Sequence, residues 1–272
     1  MKVGFFDSGL GGLTVLKEVL SDSRFNEEVY YLGDTKNTPY GTKSSELVKE
    51  IVESNVKYLI DIGCNPVVIA CNTATAVAVK DLREKYKDVV IIGTEPAVKV
   101  AADAHMNKKI LVLGTSITVK QDKLLNLIDK LDKNNEDFVL RAADKLVLFA
   151  ENENCLNLND EIDEYIDTML QEYDLNEFSH IVLGCTHFPL FRENFNRVIA
   201  NRYPGKKIDI IDGSVGITNY LVKNIENIKK EDVNNGKNDK IHVITTKKSN
   251  AFESRTREIL GDRNILFEYK LQ

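Results

Sequence analysis

The chain has no tryptophan, and its 272 residues include only four cysteines and four histidines. No two cysteines form a Cys-x-x-Cys pair, which disfavours both a disulfide framework and a structural zinc site. Four histidines also leave little from which to build a haem or multi-histidine metal site. We therefore expect reduced thiols and no bound metal.

The chain also lacks an excess of positive charge and any long apolar run. Its formal net charge is −6, with Lys and Arg interspersed among Asp and Glu, so we expect no nucleic-acid partner. No apolar stretch reaches membrane-spanning length, and the start of the chain lacks the pattern of a signal peptide. We expect a cytoplasmic protein without a membrane partner that acts on a small molecule.

What the sequence does contain is a regular alternation of Val/Ile/Leu/Phe runs with amphipathic stretches. Such alternation is typical of parallel sheets covered by helices on both faces, so the predicted fold class is α/β. The predicted strands are 2–7, 28–33, 66–71, 88–92, 109–114, 137–142, 179–184, 207–211, 240–245 and 264–269. The predicted helices are 11–21, 44–61, 73–86, 96–105, 116–131, 159–173, 214–228 and 249–260, and the polar segment 229–239 is predicted as a loop.

Two of the apolar runs end in a cysteine that is followed by polar side chains, in Cys71-Asn72-Thr73 and in Cys185-Thr186-His187. A single cysteine in this position is more often a small buried apolar residue than a catalyst. Two of them in similar contexts favour a functional role, because ligands of α/β sheets bind at the carboxyl ends of strands. We predict that both thiols lie at helix starts, where the thiolate is favoured.

Other candidate groups lie close to these thiols in the sequence. Asp7 closes an apolar strand, and a buried carboxylate is costly without a partner. The glycines after it could bring backbone amides to an anion, or simply form a tight turn. His187 could exchange a proton with Cys185, although a structural histidine is an equal alternative. Cys64 and Cys155 lack such neighbours and are interpreted as structural.

Several motifs in the same order along the chain together closely resemble glutamate racemases, within the wider aspartate/glutamate racemase superfamily. The motifs are Asp7-Ser8-Gly9-Leu10-Gly11-Gly12, Gly33-Asp34-Thr35, Pro39-Tyr40-Gly41, Ala70-Cys71-Asn72-Thr73-Ala74, Gly93-Thr94-Glu95-Pro96-Ala97 and Leu183-Gly184-Cys185-Thr186-His187-Phe188-Pro189-Leu190.

The resemblance implies a cofactor-independent, two-base mechanism acting on glutamate. Cys71 would take the Cα proton from D-glutamate and Cys185 from L-glutamate, assisted by Asp7 and His187 respectively. The remaining roles that the resemblance implies are Ser8, Tyr40 and Gly41 at the side-chain carboxylate, Asn72, Thr73 and Thr186 around the amino-acid head group, and Glu151, Thr115 and Thr118 as auxiliary residues. The segment 143–151 keeps the glutamate but lacks the prolines that usually precede it in the family.

We expect two pseudo-symmetric α/β domains, 1–95 with 208–272 and 96–207, with the active site in the cleft between them. The resemblance further implies a homodimer that supplies D-glutamate for peptidoglycan. Two alternatives remain open at this point: a racemase for aspartate or another amino acid, and a non-catalytic amino-acid binding protein with merely buried cysteines.

Overall fold

A computed structural model describes residues 1–104, 108–132, 137–229, 240–261 and 263–270, without the side chains of Leu156 and Lys229. Its strands are β1 (Lys2–Asp7), β2 (Glu28–Gly33), β3 (Val67–Ile69), β4 (Ile91–Gly93), β5 (Lys109–Gly114), β6 (Phe138–Ala142), β7 (Phe178–Leu183), β8 (Asp209–Asp212), β9 (Ile241–Thr245) and β10 (Ile265–Tyr269). Its α-helices are α1 (Gly12–Ser21), α2 (Ser45–Asp61), α3 (Asn72–Lys85), α4 (Val98–Ala104), α5 (Asp122–Leu131), α6 (Asp144–Glu151), α7 (Asn159–Leu170), α8 (Arg192–Arg202), α9 (Ser214–Lys229) and α10 (Asn250–Leu260).

The strands form two sheets whose described pairings are all parallel. The larger sheet has the order β10-β9-β2-β1-β3-β4, and the smaller one has the order β6-β5-β7-β8. The four strands β2-β1-β3-β4 repeat the order of the smaller sheet, with β5 in the place of β1 and β7 in the place of β3. The predicted fold class, two parallel-sheet α/β domains, is confirmed.

The chain divides into two compact units, Met1–Glu95 with Gly213–Gln272 and Pro96–Asp212. The sequence analysis assigned 208–212 to the first domain. In the structure this segment contains β8, which pairs in parallel with β7 and so extends the smaller sheet. Strand pairing, which the local sequence does not encode, decides this boundary.

Burial explains why the strands form where apolar residues run continuously. β3 and the inner part of β1 are fully buried, as expected for parallel strands with helices on both faces. In the first unit, a core cluster joins Phe6, Leu32 and Ile69 of three neighbouring strands to apolar residues of α2 and α3. In the second unit, β5 and β7 provide the centre of a separate core.

Several local predictions are wrong. The helices α6 and α8 were not predicted, and the stretch 116–131 forms a short 3-10 turn, Thr118–Lys120, followed by α5 instead of one helix. In α8 only Asn194, Phe195, Val198 and Ile199 are buried, so its apolar face is too short to give a clear pattern. Most of the predicted loop, residues 230–239, lies outside the described residues.

None of the helices in the described part of the chain combines the length and the apolar character that crossing a membrane requires.

The glycine at the start of α1 allows the helix to pack directly on the end of β1. A Cβ atom added to Gly12 would lie 2.5 Å from the Cβ of Asp7 and 2.9 Å from the hydroxyl of Tyr31. Both are side chains of fully buried residues. The glycine-rich segment is therefore explained, at least at Gly12, by a close helix–strand contact.

We expect Gly12→Ala to lower the free energy of unfolding of the protein by about 1–3 kcal/mol, because the new methyl group overpacks a buried contact. Gly216→Ala is the matched control, since a Cβ at this position in α9 meets nothing within 4 Å. Helix propensity predicts that the control gains up to about 1 kcal/mol. Urea unfolding midpoints followed by circular dichroism measure both effects, and equal behaviour of the two variants would contradict the packing argument.

Candidate active site

The first thiol lies where β3 gives way to α3. Cys71 is the N-cap of α3, its Sγ accepts a hydrogen bond from the backbone N–H of Ala74 at 3.4 Å, and only 5% of the residue is exposed. The predicted helix start at Cys71 is thus found in the structure. The positive end of the helix dipole favours negative charge on this sulfur.

The loop after β1 provides the polar neighbours of this thiol. The Cys71 thiol donates to the hydroxyl of Ser8 at 3.7 Å, which is within reach for a sulfur donor. The adjacent Asp7 is fully buried, and its Oδ1 accepts the backbone N–H of Gly9 at 3.0 Å. The structure therefore brings Ser8 to Cys71, and the residue before Ser8 in the sequence, Asp7, is a buried carboxylate.

Asn72 and Thr73 form the first turn of α3, next to Cys71, and both are buried. The side-chain oxygen of Asn72 is buried, and no described residue donates a hydrogen bond to it. A buried acceptor left without a donor costs free energy, so it indicates a position where a ligand donor belongs. An ammonium group is a donor of the required kind.

Tyr40 is buried with its hydroxyl turned towards a carboxylate. The hydroxyl donates to Oδ2 of Asp34 at 2.6 Å, and only 2% of Tyr40 is exposed. Burial, and next the charge and hydrogen bond of Asp34, raise the pKa of Tyr40 well above its usual value. Negative charge on Cys71 and Asp7 acts in the same direction, which places Tyr40 in the same electrostatic neighbourhood.

Asp34 is the residue at this edge that sequence reasoning did not single out. It is fully buried and accepts hydrogen bonds from Tyr40, from the Asn37 amide at 3.0 Å and from the Thr246 hydroxyl at 2.7 Å. The sequence feature that could have identified Asp34 is its position directly after the buried strand β2. The Tyr40 hydroxyl donates its hydrogen bond to Asp34. The Tyr40 side chain therefore shapes the turn Tyr40–Thr42, which also contains Gly41.

The second thiol follows β7, but no α-helix begins there. Cys185 and Thr186 lie in a turn in which the N–H of Phe188 bonds to the carbonyl of Cys185 at 3.1 Å. A 3-10 turn, Phe188–Phe191, comes next, and α8 starts only at Arg192. The prediction that Cys185 lies at a helix start is therefore wrong, and Pro189 inside the 3-10 turn is consistent with this tighter path.

The polar neighbours of this second thiol are a histidine and a glutamate, whereas the first thiol lies at a helix N-terminus. Sγ of Cys185 lies 3.7 Å from Nδ1 of His187, and Nε2 of His187 lies 2.6 Å from Oε1 of Glu151. Cys185 is 7% exposed and His187 is 1% exposed. The three groups form a chain from sulfur to imidazole to carboxylate, and it includes Glu151, which was predicted only as an auxiliary residue.

The partners of His187 decide its charge. Burial by itself lowers the pKa of the imidazole, but the hydrogen bonds and negative charges of Cys185 and Glu151 outweigh it, and the pKa lies well above 6.5. The raised pKa favours the protonated imidazole. A charged imidazole beside the sulfur stabilises a thiolate and can donate a proton to it.

The remaining predicted residues divide into two groups. Thr186 is buried beside Cys185. The hydroxyls of Thr115 and Thr118, after β5, bond to each other at 3.0 Å, and the Thr115 hydroxyl also accepts the N–H of Thr118 at 3.2 Å. These bonds stabilise the turn after β5, and β5 pairs with β7, the strand that precedes Cys185.

The other two cysteines are core residues. Cys64 is 1% exposed, and burial raises the pKa of its thiol to about 12, which makes it a poor acid–base group. Cys155 is packed in the core of the second unit. Among the described residues, no group of three or more His, Cys, Asp or Glu side chains is arranged to hold a metal ion.

Fold and site together define a class of protein: an α/β enzyme of two units with two buried strand-end thiols, one beside the Ser8 hydroxyl and the other beside the His187–Glu151 pair. The sequence model of the Asp/Glu/hydantoin racemases matches residues 16–215, and the chain belongs to this family.

Individual relatives agree with this membership. The glutamate racemase of Halothermothrix orenii is 43% identical over 226 residues, which cover 81% of this chain and 83% of that protein. Glutamate racemase 2 of Bacillus subtilis is 42% identical over 225 residues, covering 82% and 81%. A solved glutamate racemase isoform of Bacillus anthracis matches with a TM-score of 0.82 at 26% identity, covering 99% and 96%. The resemblance to glutamate racemases seen in the motifs is confirmed.

We expect Glu151→Gln to lower the pKa of His187, because burial then acts with one opposing carboxylate removed. In the wild-type protein the raised pKa means that His187 contributes stability below pH 6.5 and loses it as the pH rises through the higher folded value. The variant should lose this contribution. An NMR titration of the His187 imidazole measures the shift directly.

Glu153→Gln is the matched control for this titration, since Glu153 is an exposed carboxylate two residues further along the chain. It should leave the His187 titration unchanged. An unchanged His187 pKa in Glu151→Gln would show that the carboxylate does not set the charge of the imidazole.

Proposed function

We propose that this chain interconverts L- and D-glutamate, without a cofactor, by a two-base mechanism in which Cys71 and Cys185 act on opposite faces of one Cα atom. The observation that carries the proposal is the pair of buried strand-end thiols, one beside the Ser8 hydroxyl and the start of α3, the other beside His187 and Glu151. Family membership supports glutamate as the substrate. So do the relatives, which are glutamate racemases and match this chain over most of their length.

In the proposed reaction each thiol changes its protonation once per turnover. The thiolate of Cys71 takes the Cα proton from D-glutamate and becomes a thiol, and the electron pair stays on the substrate as a carbanion. The thiol of Cys185 then donates its proton to the opposite face and becomes a thiolate. The product is L-glutamate, and the reverse reaction exchanges the two roles.

The neighbouring groups assist each thiol differently in this proposal. Asp7, the last residue of β1, directly precedes Ser8, whose hydroxyl accepts from the Cys71 thiol, and it assists proton transfer there. The protonated His187, held by Glu151, stabilises the thiolate of Cys185 and resupplies its proton. General acid–base assistance of this kind typically contributes about 10²- to 10⁴-fold in rate.

A Cα–H bond is a very weak acid, so the site must also stabilise the carbanion. Buried, preorganised donors near the substrate α-carboxylate supply this stabilisation more strongly than water does. We assign the head group to Asn72, Thr73 and Thr186, with the buried side-chain oxygen of Asn72 accepting from the ammonium group. Ser8 and the backbone of Gly41 are assigned to the side-chain carboxylate, and Tyr40 shapes the turn that carries Gly41.

We expect Cys71→Ser and Cys185→Ser each to lower the racemisation rate by about 10²- to 10⁴-fold in both directions, because every turnover uses both thiols. Wild-type protein incubated with L-glutamate in deuterium oxide should yield D-glutamate carrying one deuterium at Cα. Chiral chromatography with mass spectrometry measures inversion and deuterium together. L-Aspartate in the same assay tests the substrate.

Cys64→Ala is the matched cysteine control and should retain the wild-type rate, since this thiol lies in the core of the first unit and burial raises its pKa to about 12. Full activity in either strand-end variant would refute the two-base mechanism. Faster inversion of aspartate would assign the chain to the aspartate branch. Calorimetric binding of glutamate without Cα exchange would favour the binding-protein alternative.

We further propose that the chain works in the cytoplasm as a homodimer and supplies D-glutamate for peptidoglycan. Expression of the wild-type protein should restore growth of a bacterial strain that requires D-glutamate, whereas Cys71→Ser should not. Light scattering should give twice the 30.7 kDa mass of the chain. Failure of the expressed wild-type protein to restore growth would contradict the role, and a single-chain mass would contradict the dimer.

A further inference from the structure

The carbonyl oxygen of Ile69, at the end of β3, accepts three hydrogen bonds. The hydroxyl of Thr94 donates to it at 2.9 Å, the hydroxyl of Thr75 at 3.1 Å and the backbone N–H of Thr94 at 3.2 Å. A carbonyl oxygen has two lone pairs, so three donors are more than such a group requires. This carbonyl lies two residues before the Cys71 thiol.

The hydrogen bonds form a closed network with consistent donors and acceptors. Thr75 donates its hydroxyl proton to Ile69 and accepts the N–H of Thr94 on the same oxygen at 3.0 Å. Thr75 and Thr94 are 2% and 4% exposed, so water does not compete for these bonds. A fully satisfied buried network of this kind holds its members rigidly.

The packing around Thr75 is an independent sign that its position is fixed. A Cβ added to Gly93, the last residue of β4, would lie 2.7 Å from Cγ2 of Thr75 and 3.0 Å from Val79. Strand β4 therefore leaves room for Thr75 to reach the end of β3. Ile69 and Gly93 are also direct partners in the sheet.

The network holds the turn that carries Cys71 from both ends. Ile69 precedes the thiol, and Thr75 follows it on the first turns of α3, where its own N–H bonds to the carbonyl of Cys71 at 2.9 Å. Thr94 belongs to a third element, the segment after β4. The path from strand to helix is thereby fixed by contacts that do not involve the Cys71 side chain.

We infer that Thr75 and Thr94 are positioning residues for the Cys71 thiol, acting through the carbonyl of Ile69. This inference rests on the proposed function, in which Cys71 removes the proton from D-glutamate. Loss of the hydroxyl of Thr75 or Thr94 lets the turn that carries Cys71 relax. The Cys71 sulfur then moves relative to the Cα atom of the bound glutamate. Small displacements of a reacting group slow the chemical step strongly.

The test is the primary isotope effect on kcat/KM with each deuterated enantiomer. We expect Thr75→Val to lower kcat/KM about tenfold and to raise the isotope effect with D-[2-²H]glutamate. The effect with L-[2-²H]glutamate should fall below the wild-type value, because slower protonation by Cys71 makes proton removal by Cys185 less rate-limiting. A loss of folded protein reduces the rate without changing either isotope effect.

Three further variants make the result decisive. Thr75→Ser keeps the hydroxyl and should restore the wild-type isotope effects. Thr94→Val removes the Thr94 hydroxyl but keeps the bond from its backbone N–H to the carbonyl of Ile69. It therefore tests the role of the same carbonyl if Thr75→Val does not fold. Thr256→Val removes a buried hydroxyl that bonds to the carbonyl of Phe252 at 2.7 Å in α10, and it should change neither isotope effect.

Unchanged isotope effects in both valine variants would overturn the inference, as would an equal rise with both enantiomers or the same rise in Thr256→Val. These outcomes leave the proposed function intact if Cys71→Ser has lost racemisation. A fully active Cys71→Ser would instead refute the proposed function, and the inference with it.

Discussion

Parallel pairing of β1, β2 and β3 is the constraint on which the first half of the site depends. In the register of this sheet Asp7 lies opposite Gly33, and Phe6 lies opposite Ile69. The chain therefore leaves all three strands at one edge. Asp7, the following Asp34 and the nearby Cys71 come together there although they are far apart in the sequence. The smaller sheet repeats this arrangement, with Leu113 of β5 opposite Leu183 of β7.

Burial at the ends of these strands makes an unpaired polar group costly, and the partners of each group determine what it can do. Asp34 is buried because three side chains donate to it, and it thereby takes up the hydroxyl of Tyr40. His187 is buried because Glu151 and Cys185 compensate its charge. The same low-dielectric surroundings that make an unpaired group costly also strengthen the interactions that tune a thiol or an imidazole.

Much of the fold could be predicted from the sequence, because runs of buried apolar residues mark parallel strands clearly. β1 and β2 were predicted with the bounds that the structure has. The helices α6 and α8 were missed because they are short and bury few apolar residues. Residues 208–212 were assigned to the first domain, whereas β8 pairs with β7 of the second unit, since pairing partners are set by long-range contacts. The helix start at Cys71 was found, whereas the one expected at Cys185 is a turn.

The sequence by itself determined the α/β class, the two cysteines at strand ends and the polar residues next to them, because hydrophobic patterning and neighbouring residues are local properties of the chain. Only the tertiary structure decided which groups become partners. Glu151 reaches His187 through a helix that the pattern did not reveal, and Thr94 reaches Ile69 through the sheet. Such contacts join residues far apart in sequence, and their geometry depends on how the strands and helices pack. The two thiols are therefore visible in the sequence, but their surroundings are not.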